Sequence, residues 1–583
     1  MANNKKFQDN IDYVNEIATI ARKNGMTHLY TENECLDGKY ISINGETLIN
    51  FGSCSYLGLE TDARLKEAAI DAVRRFGTQF SSSRTYVSFT LYEELEALLK
   101  NIFNNPVILS STTSLGHQAV VPIIIGDKDA VIMDHQVHAS IQDVIPKLQV
   151  RGIPVSLLRH SRLDELEYKI TKLSIHHERI WYFIDGVYSM YGDLSPIKKL
   201  MQMLESHSSL HLYVDDAHGM SWAGEHGNGF VLSQVPLHPR MILSTSLAKG
   251  FASAGGVFVI PDHELYWRVK NWGGPLTYSG PQQPAVIGAS IASAKIHLSD
   301  EIYEKQNSLS QLIQYCNQIA IDYGLPVVLP SHSPVFFIGL GLPKVGYSLI
   351  RQLMKSGFYT NLGIFPAVPK NCTGIRFTLT LHHTKEDIRQ LIEQIALFLP
   401  EVLQEEGRTL QDVYRVFRKT INSSNQSKNQ TLKNENNKIA KDNGINLTYT
   451  TTIKDIPQSF WDNLLGCQGA FTWKNLTLLE QSFQDNERLE HNWSFHYYII
   501  ADDSQRPILA TFFTQGLIKE DMLSSSQISR RLEKIRSSDR YHMTSQALLM
   551  GTVITEGKHL FLDQSHPKWK NAFTLLLDTL WKK

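Results

Sequence analysis

Residues 211–218 read His-Leu-Tyr-Val-Asp-Asp-Ala-His, a short β-rich run that ends on two aspartates and, three residues past the first, a histidine. Asp215 and His218 therefore emerge together where a buried strand ends. A carboxylate there can keep a heteroaromatic ring nitrogen protonated, and the imidazole can donate to an oxygen on the same ring. The plainer alternative is an aspartate that caps the next turn beside a surface histidine. Further on, MILSTSLAKGF (Met241–Phe251) supplies another strand ending in hydroxyls and then one lysine, Lys249, before a glycine. A lysine in a partly desolvated pocket loses its proton and attacks a carbonyl to hold it as a Schiff base. Taken alone Lys249 is an ordinary loop lysine, and only the acid and histidine upstream give it a chemical setting. Arg376 offers the planar fork suited to a carboxylate, with a surface ion pair as the alternative.

These groups need a scaffold that brings strand ends together. Short β-rich runs at Ala130–Met133, Ile180–Ile184, His211–Val214 and Met241–Leu243 alternate with helical patterns such as Ala63–Arg75, where Leu65, Ala68, Ala69 and Ala72 recur at helical spacing. That alternation predicts an α/β layer with a mostly parallel sheet, and ligands in such sheets sit beyond the carboxyl ends of the strands. After Gly324 the pattern becomes strand Val335–Leu340, helix Tyr347–Ser356, strand Ile375–Thr380 and helix His383–Leu399, a smaller α+β lobe.

The chain of 583 residues is too long for one core, and its 42% hydrophobic and 20% charged composition is that of a folded protein. A net charge of −1 gives no global field for nucleic acid or an anionic membrane. The start, MANNKKFQDN, lacks the apolar stretch of a secretory signal, no run approaches a spanning helix, and a cytoplasmic location is expected. Cys35, Cys54, Cys316, Cys372 and Cys467 are scattered without a CxxC pair, so they read as buried small residues rather than disulfides or metal ligands. Thr420–Gly444, rich in Asn, Ser, Lys and Gln, reads as a flexible linker. The expected division is an arm at 1–50, a large domain at 51–325, a small lobe at 326–419, the linker at 420–444 and an accessory α+β domain at 445–583.

Six strings, in order, resemble the α-oxoamine synthases, a fold-type I pyridoxal-phosphate (PLP) family: SYLGL (Ser55–Leu59), HAS (His138–Ser140), DGVYSMYGDLSP (Asp185–Pro196), VDDAHGMSWAGEHGNG (Val214–Gly229), STSLAKGFASAGG (Ser244–Gly256) and IRFTLTLHHTKEDI (Ile375–Ile388). The resemblance implies PLP on Lys249, Asp215 facing its pyridine nitrogen, Ser189 and His218 near its ring oxygen, and His138 on its face. It places the phosphate at Thr113, Ser114 and Leu115, ahead of a helix, and at Ser246, where the family has a threonine. Arg376 would clamp the substrate carboxylate, with Ser55 and Arg84 beside the substrates. The reaction implied is decarboxylative condensation of a small α-amino acid with an acyl thioester, carried by coenzyme A or an acyl carrier protein, in a homodimer.

The departures lie at the substrate side. Ser55 stands where the family has asparagine before YLGL, and GTQFSSSR (Gly77–Arg84) replaces a glycine-rich stretch. YSGPQQP (Tyr278–Pro284) stands where a Ser-Thr pair from the neighbouring subunit is usual. An aminotransferase is the nearest rival, because the same Asp, Lys and Arg serve both; DGVYSMYGD and the DDAH histidine favour the synthases. A non-catalytic scaffold subunit is a third reading, against which Lys249 argues. The carboxy-terminal part, opening IKDIPQSFWDNLLG, distantly looks like the amino half of a GNAT-type or FemAB-like acyltransferase. The simpler expectation is a packing or partner-docking domain, one suited to a carrier protein, with Trp461, Trp473 and Trp493 in its core.

Overall fold

The computed structural model describes residues 2–417, 438–442 and 444–581, except 467, 468, 485, 487, 505, 520, 522–525, 538, 539, 553 and 556. The chain divides into two compact units, 1–419 and 420–583. Most of the expected linker, residues 420–437, lies outside the described residues, as does Cys467. Its last part departs from expectation: Lys438–Asp442 is a strand paired antiparallel with Ile445–Thr450.

The first unit is built on a seven-stranded sheet with the order 107–110, 256–259, 241–246, 210–215, 180–185, 130–134, 155–158. All neighbours from 241–246 onward are parallel, while Gly256–Val259 runs antiparallel to both strands beside it. Strands such as Ile180–Asp185 are buried at every position because helices cover both faces, which is why they read as continuous apolar runs. Alternate side chains feed different cores. Tyr182, Leu212 and Leu243 pack on one face, and Trp181, Tyr213 and Ile242 on the other.

Strand ends outrun the apolar pattern. Met241–Leu243 extends through Ser244, Thr245 and Ser246, all buried, and Leu210–Asp215 carries its ladder onto the aspartate. Four polar groups thus stand at carboxyl ends of the parallel set, Asp134, Asp185, Asp215 and Ser246, and Ser110 ends the edge strand beside Gly256–Val259.

A smaller antiparallel sheet, with the strand Thr373–Thr378 between Val335–Gly341 and Asn361–Gly363, carries Arg376. It packs on the helices Pro343–Lys355 and Lys385–Glu405. The first of these starts four residues ahead of the sequence expectation, since Pro343 is tolerated in a first turn. The arm contributes the helix Ala2–Lys23, whose Ile17 carbonyl accepts from Tyr347 on this lobe.

The second unit holds an antiparallel sheet ordered 438–442, 445–450, 494–502, 507–519, 544–550, with Leu560–Leu562 paired to the long fourth strand. Trp461 is fully buried with Tyr497 and Phe512 on one face; Trp473 and Trp493 are half-buried, Trp473 donating to the backbone of Ile453 and Ile456. The helix Trp569–Trp581 covers the other face through Ala572 and Leu576. Among the described residues no helix is long and apolar enough to cross a membrane.

Candidate active site

Lys249 follows the strand Met241–Ser246 on a loop held in shape by three backbone bonds: Leu247 N–H to Gly255, Ser253 N–H to Leu247 and Ala252 N–H to Lys249. Gly255 sits at φ +125°, where a Cβ would come within 2.2 Å of the Gln282 amide. Gln282, from the Tyr278–Pro284 stretch, is buried and donates to Ala254 O at 2.7 Å, while its own backbone N–H goes to the Tyr92 hydroxyl. The half-buried Lys249 amine is pushed below its ordinary value by desolvation, against the pull of Asp215. The shift favours the free amine that a nucleophile or base must be.

Asp185 and Asp215 are register partners at the ends of adjacent parallel strands. Two buried carboxylates side by side cannot both ionise cheaply. Burial and the charge on Asp215 drive Asp185 well above the usual carboxylate range. Asp215 is the ionised member. Burial pushes it up, but His117 donating from Nε2 to Oδ2 at 3.1 Å, with Lys249 and His138 nearby, outweighs that and holds it below its ordinary value. Its Oδ1 accepts the Ala217 N–H, and the Tyr213 hydroxyl supports His117 at Nδ1.

His138 begins the short helix Ala139–Gln142, its Nδ1 2.7 Å from the Ser140 hydroxyl and its N–H on Asp185. His138 itself is exposed. Desolvation lowers its basicity, so it presents a flat neutral imidazole. His218, buried, lies 2.6 Å through Nδ1 from the Tyr56 hydroxyl, and burial keeps it neutral, well below its ordinary value.

Arg376 is buried and donates from Nε to the Ser189 carbonyl at 2.7 Å. Of its outer nitrogens, Nη2 donates to Cys54 Sγ at 3.6 Å, and Nη1 points the fork at a carboxylate. Ser189 meets Arg376 through this carbonyl. The neighbour of the guanidinium is Cys54, Sγ 3.6 Å from it, rather than Ser55, whose backbone is used in the local turn. The expectation of buried cysteines thus holds for Cys316; Cys35 is exposed, and Cys54 faces the chemistry.

At the opposite end, the helix Thr113–Ile124 is capped by Thr112, whose hydroxyl takes the Leu115 N–H. Leu115, expected among the phosphate donors, is therefore spent on the cap. Thr113 and Ser114 keep first-turn amides, and a Cβ on Gly256 would meet the Thr113 Cα at 2.7 Å, so the turn lies directly on the sheet. Ser246 accepts from the Ala248 N–H and keeps its own proton to donate.

Arg84 is committed elsewhere. It pairs with Glu96 at 2.6 Å, reaches the Leu109 carbonyl and lies 3.9 Å over the Tyr92 ring, contacts that stiffen the wall. That wall, Gln79–Ser83, faces Thr277–Pro281 across a cleft of about 290 Å³. His117, Asp185, Cys54 and Tyr56 did not emerge as individual site residues from the sequence, although Asp185 and Tyr56 lie within two of the matched strings.

The donor set fits PLP: an amine, an ionised carboxylate, a neutral imidazole donor and a helix start with free amides occupy one strand-end site. The profile of the aminotransferase class I and II family matches residues 46–395, and the chain belongs to that family. It is similar to the 8-amino-7-oxononanoate synthase of Thermoanaerobacter pseudethanolicus, 28% identical over 383 residues, 65% of this chain and 94% of the relative. It is also similar to the serine palmitoyltransferase of Sphingobacterium spiritivorum, 27% identical over 394 residues, 67% and 96% of the two chains. A solved structure of SPT with a PLP internal aldimine superposes with a TM-score of 0.62 at 22% identity, covering 67% of this chain and 97% of that one, a likeness of fold. Within its family the chain is of the α-oxoamine synthase type, a PLP-dependent acyltransferase on a fold-type I scaffold.

Proposed function

We propose that this chain condenses a small α-amino acid with an acyl thioester, releasing carbon dioxide and thiol and yielding an α-amino ketone. The observation that supports it best is the convergence of the Lys249 amine, the ionised Asp215 and the anchored Arg376 on one site.

When bound, PLP supplies an electron sink that makes the Cα–H of an attached amino acid acidic. Asp215 holds a proton on the ring nitrogen. Lys249, with its lowered basicity, takes the Cα proton at Nζ and returns one after carbon dioxide has left. His218 donates to the ring oxygen, and His138 offers its neutral face to the ring and its polar edge to the departing carboxylate. Arg376 orients that carboxylate through the nitrogens that Ser189 leaves free. Thr113, Ser114 and Ser246 hold the phosphate.

The acyl donor enters along the Gln79–Ser83 wall, from coenzyme A or a carrier protein. Tyr86 and Tyr278, 86% and 88% exposed beside that cleft, suit cover by a second copy, and we read the active form as a homodimer. The cytoplasm, which holds both free amino acids and acyl thioesters, is the compartment this reading requires.

The test is a panel of amino acids against acyl-CoA and acyl-carrier-protein donors, scored for carbon dioxide and free thiol. Conversion of a keto acid to an amino acid with neither product would make the protein an aminotransferase. Lys249→Ala is expected to abolish both products and the PLP absorbance band of the lysine adduct; a variant that kept the band would overturn the assignment.

A further inference from the structure

Tyr56 is fully buried, one residue past Ser55, and its hydroxyl is the partner of His218 Nδ1 at 2.6 Å. The contact spans 162 residues of sequence. A neutral imidazole carries one N–H, and the partner at one nitrogen decides where the proton sits. If Tyr56 donates, Nε2 holds the proton and can give a hydrogen bond. If Tyr56 accepts, Nε2 is a bare acceptor and cannot serve an anionic oxygen.

The surroundings choose between these. The hydrogen bond given by the Tyr56 hydroxyl is the one to His218 Nδ1, at 2.6 Å. Of a neutral phenol and a neutral imidazole the phenol O–H is the stronger acid, so in a contact this short it donates and the imidazole nitrogen accepts. The phenol's single proton is left for His218. Both partners stay neutral: burial drives the phenol well above its ordinary range, and burial with the charges of Lys249 and Arg376 and the nearby His138 drives the imidazole well below. The His218 backbone is fixed as well, its carbonyl accepting from the Trp222 indole at 2.6 Å.

We infer that Tyr56 is a positioning residue that sets the proton of His218 on Nε2, the nitrogen left to serve the cofactor's ring oxygen. The inference rests on the reading of His218 as the donor to that oxygen.

Tyr56→Phe removes one oxygen and keeps the ring. A donor at the ring oxygen stabilises its anionic form, so weakening that donor raises the pH at which the PLP–lysine chromophore titrates. In the PLP-loaded protein we expect the spectrophotometric midpoint of Tyr56→Phe to rise by about 0.5–1 pH unit, the size of one neutral hydrogen bond. Cys54→Ala, which touches Arg376 directly, should raise the KM for the amino acid and leave the midpoint in place.

A Tyr56→Phe protein with the wild-type midpoint, whether or not it melts earlier, overturns the inference, as does an equal shift in Cys54→Ala. Should Tyr56→Phe not fold, the imidazole ¹⁵N shifts of the wild-type holoenzyme, assigned through His218→Gln, decide: a proton on Nε2 supports the inference and one on Nδ1 overturns it. A wild-type protein that gives no titrating chromophore with PLP would defeat the cofactor reading itself, an outcome separate from these.

Discussion

Asp215 keeps its charge in a buried place because His117 stands beside it. His117→Leu would leave that carboxylate without its main offset to desolvation. We expect PLP retention to fall by about 10- to 150-fold, the ~1.5–3 kcal/mol of a hydrogen bond to a charged group, measured by dialysis and spectral titration. The pH dependence follows from the depressed value of Asp215. Its stabilising contribution is present above the ordinary carboxylate range and is lost only as pH falls through that lower value. In His117→Leu this acid limb should move to higher pH; an unmoved limb would show that Lys249 and His138 alone hold the charge. Lys249, Asp215 and His218 were legible because each sits in a short string beside a strand end. His117, Tyr56 and Cys54 were not, because their contacts cross 98, 162 and 322 residues of chain and no local spacing announces them.

Between strand ends and helices lies the loop after Asp185, which carries Ser189 to Arg376. His160 pins it. Its Nε2 reaches Asp193 on that loop at 2.7 Å, and its Nδ1 reaches Asp134 at the end of a strand at 3.1 Å. Burial lowers the basicity of the imidazole, but the two carboxylates outweigh it and raise it to about 9. A raised value means the stabilisation is complete below about pH 6.5 and fades as pH climbs through about 9. His160→Gln should therefore melt earlier than wild type at pH 6, by on the order of 2 kcal/mol of stability, with the gap closing above pH 9.5. A gap independent of pH would mean the ring acts by packing alone. The same variant should raise the KM for the amino acid, since Arg376 leans on Ser189. At this scale most elements could be read from period and apolar content, with ends off by a few residues. The strand Met241–Ser246 ran past its apolar stretch, and Lys438–Asp442 hid in a polar segment, since ladder pairing supplies bonds that composition does not display.

Each of the two units has its own cores, with Trp461, Tyr497 and Phe512 serving the second and the seven-stranded sheet serving the first. Calorimetry should resolve two transitions, of which PLP raises only the first. A protein ending at residue 419 should keep the PLP band and condensation with acyl-CoA. Loss of activity with a carrier-protein donor alone would assign the second unit to docking, whereas loss of the PLP band would defeat the division. The change of character around residue 420 and the order of the six strings were visible from composition and motif. The sheet pairing of the second unit was not, since short alternating strands do not name their neighbours.

Gln282 links two regions that enzyme engineers would treat as separate. It belongs to the segment that faces the Gln79–Ser83 wall, yet its amide supports the turn that carries Lys249, and Gly255 gives way to it. Libraries that redraw chain-length preference across Thr277–Gln283 will therefore also alter turnover whenever they touch position 282. If acyl donors enter here as proposed, selectivity and rate are joined through that one amide, and variation confined to Gln79–Ser83 should change the former without the latter.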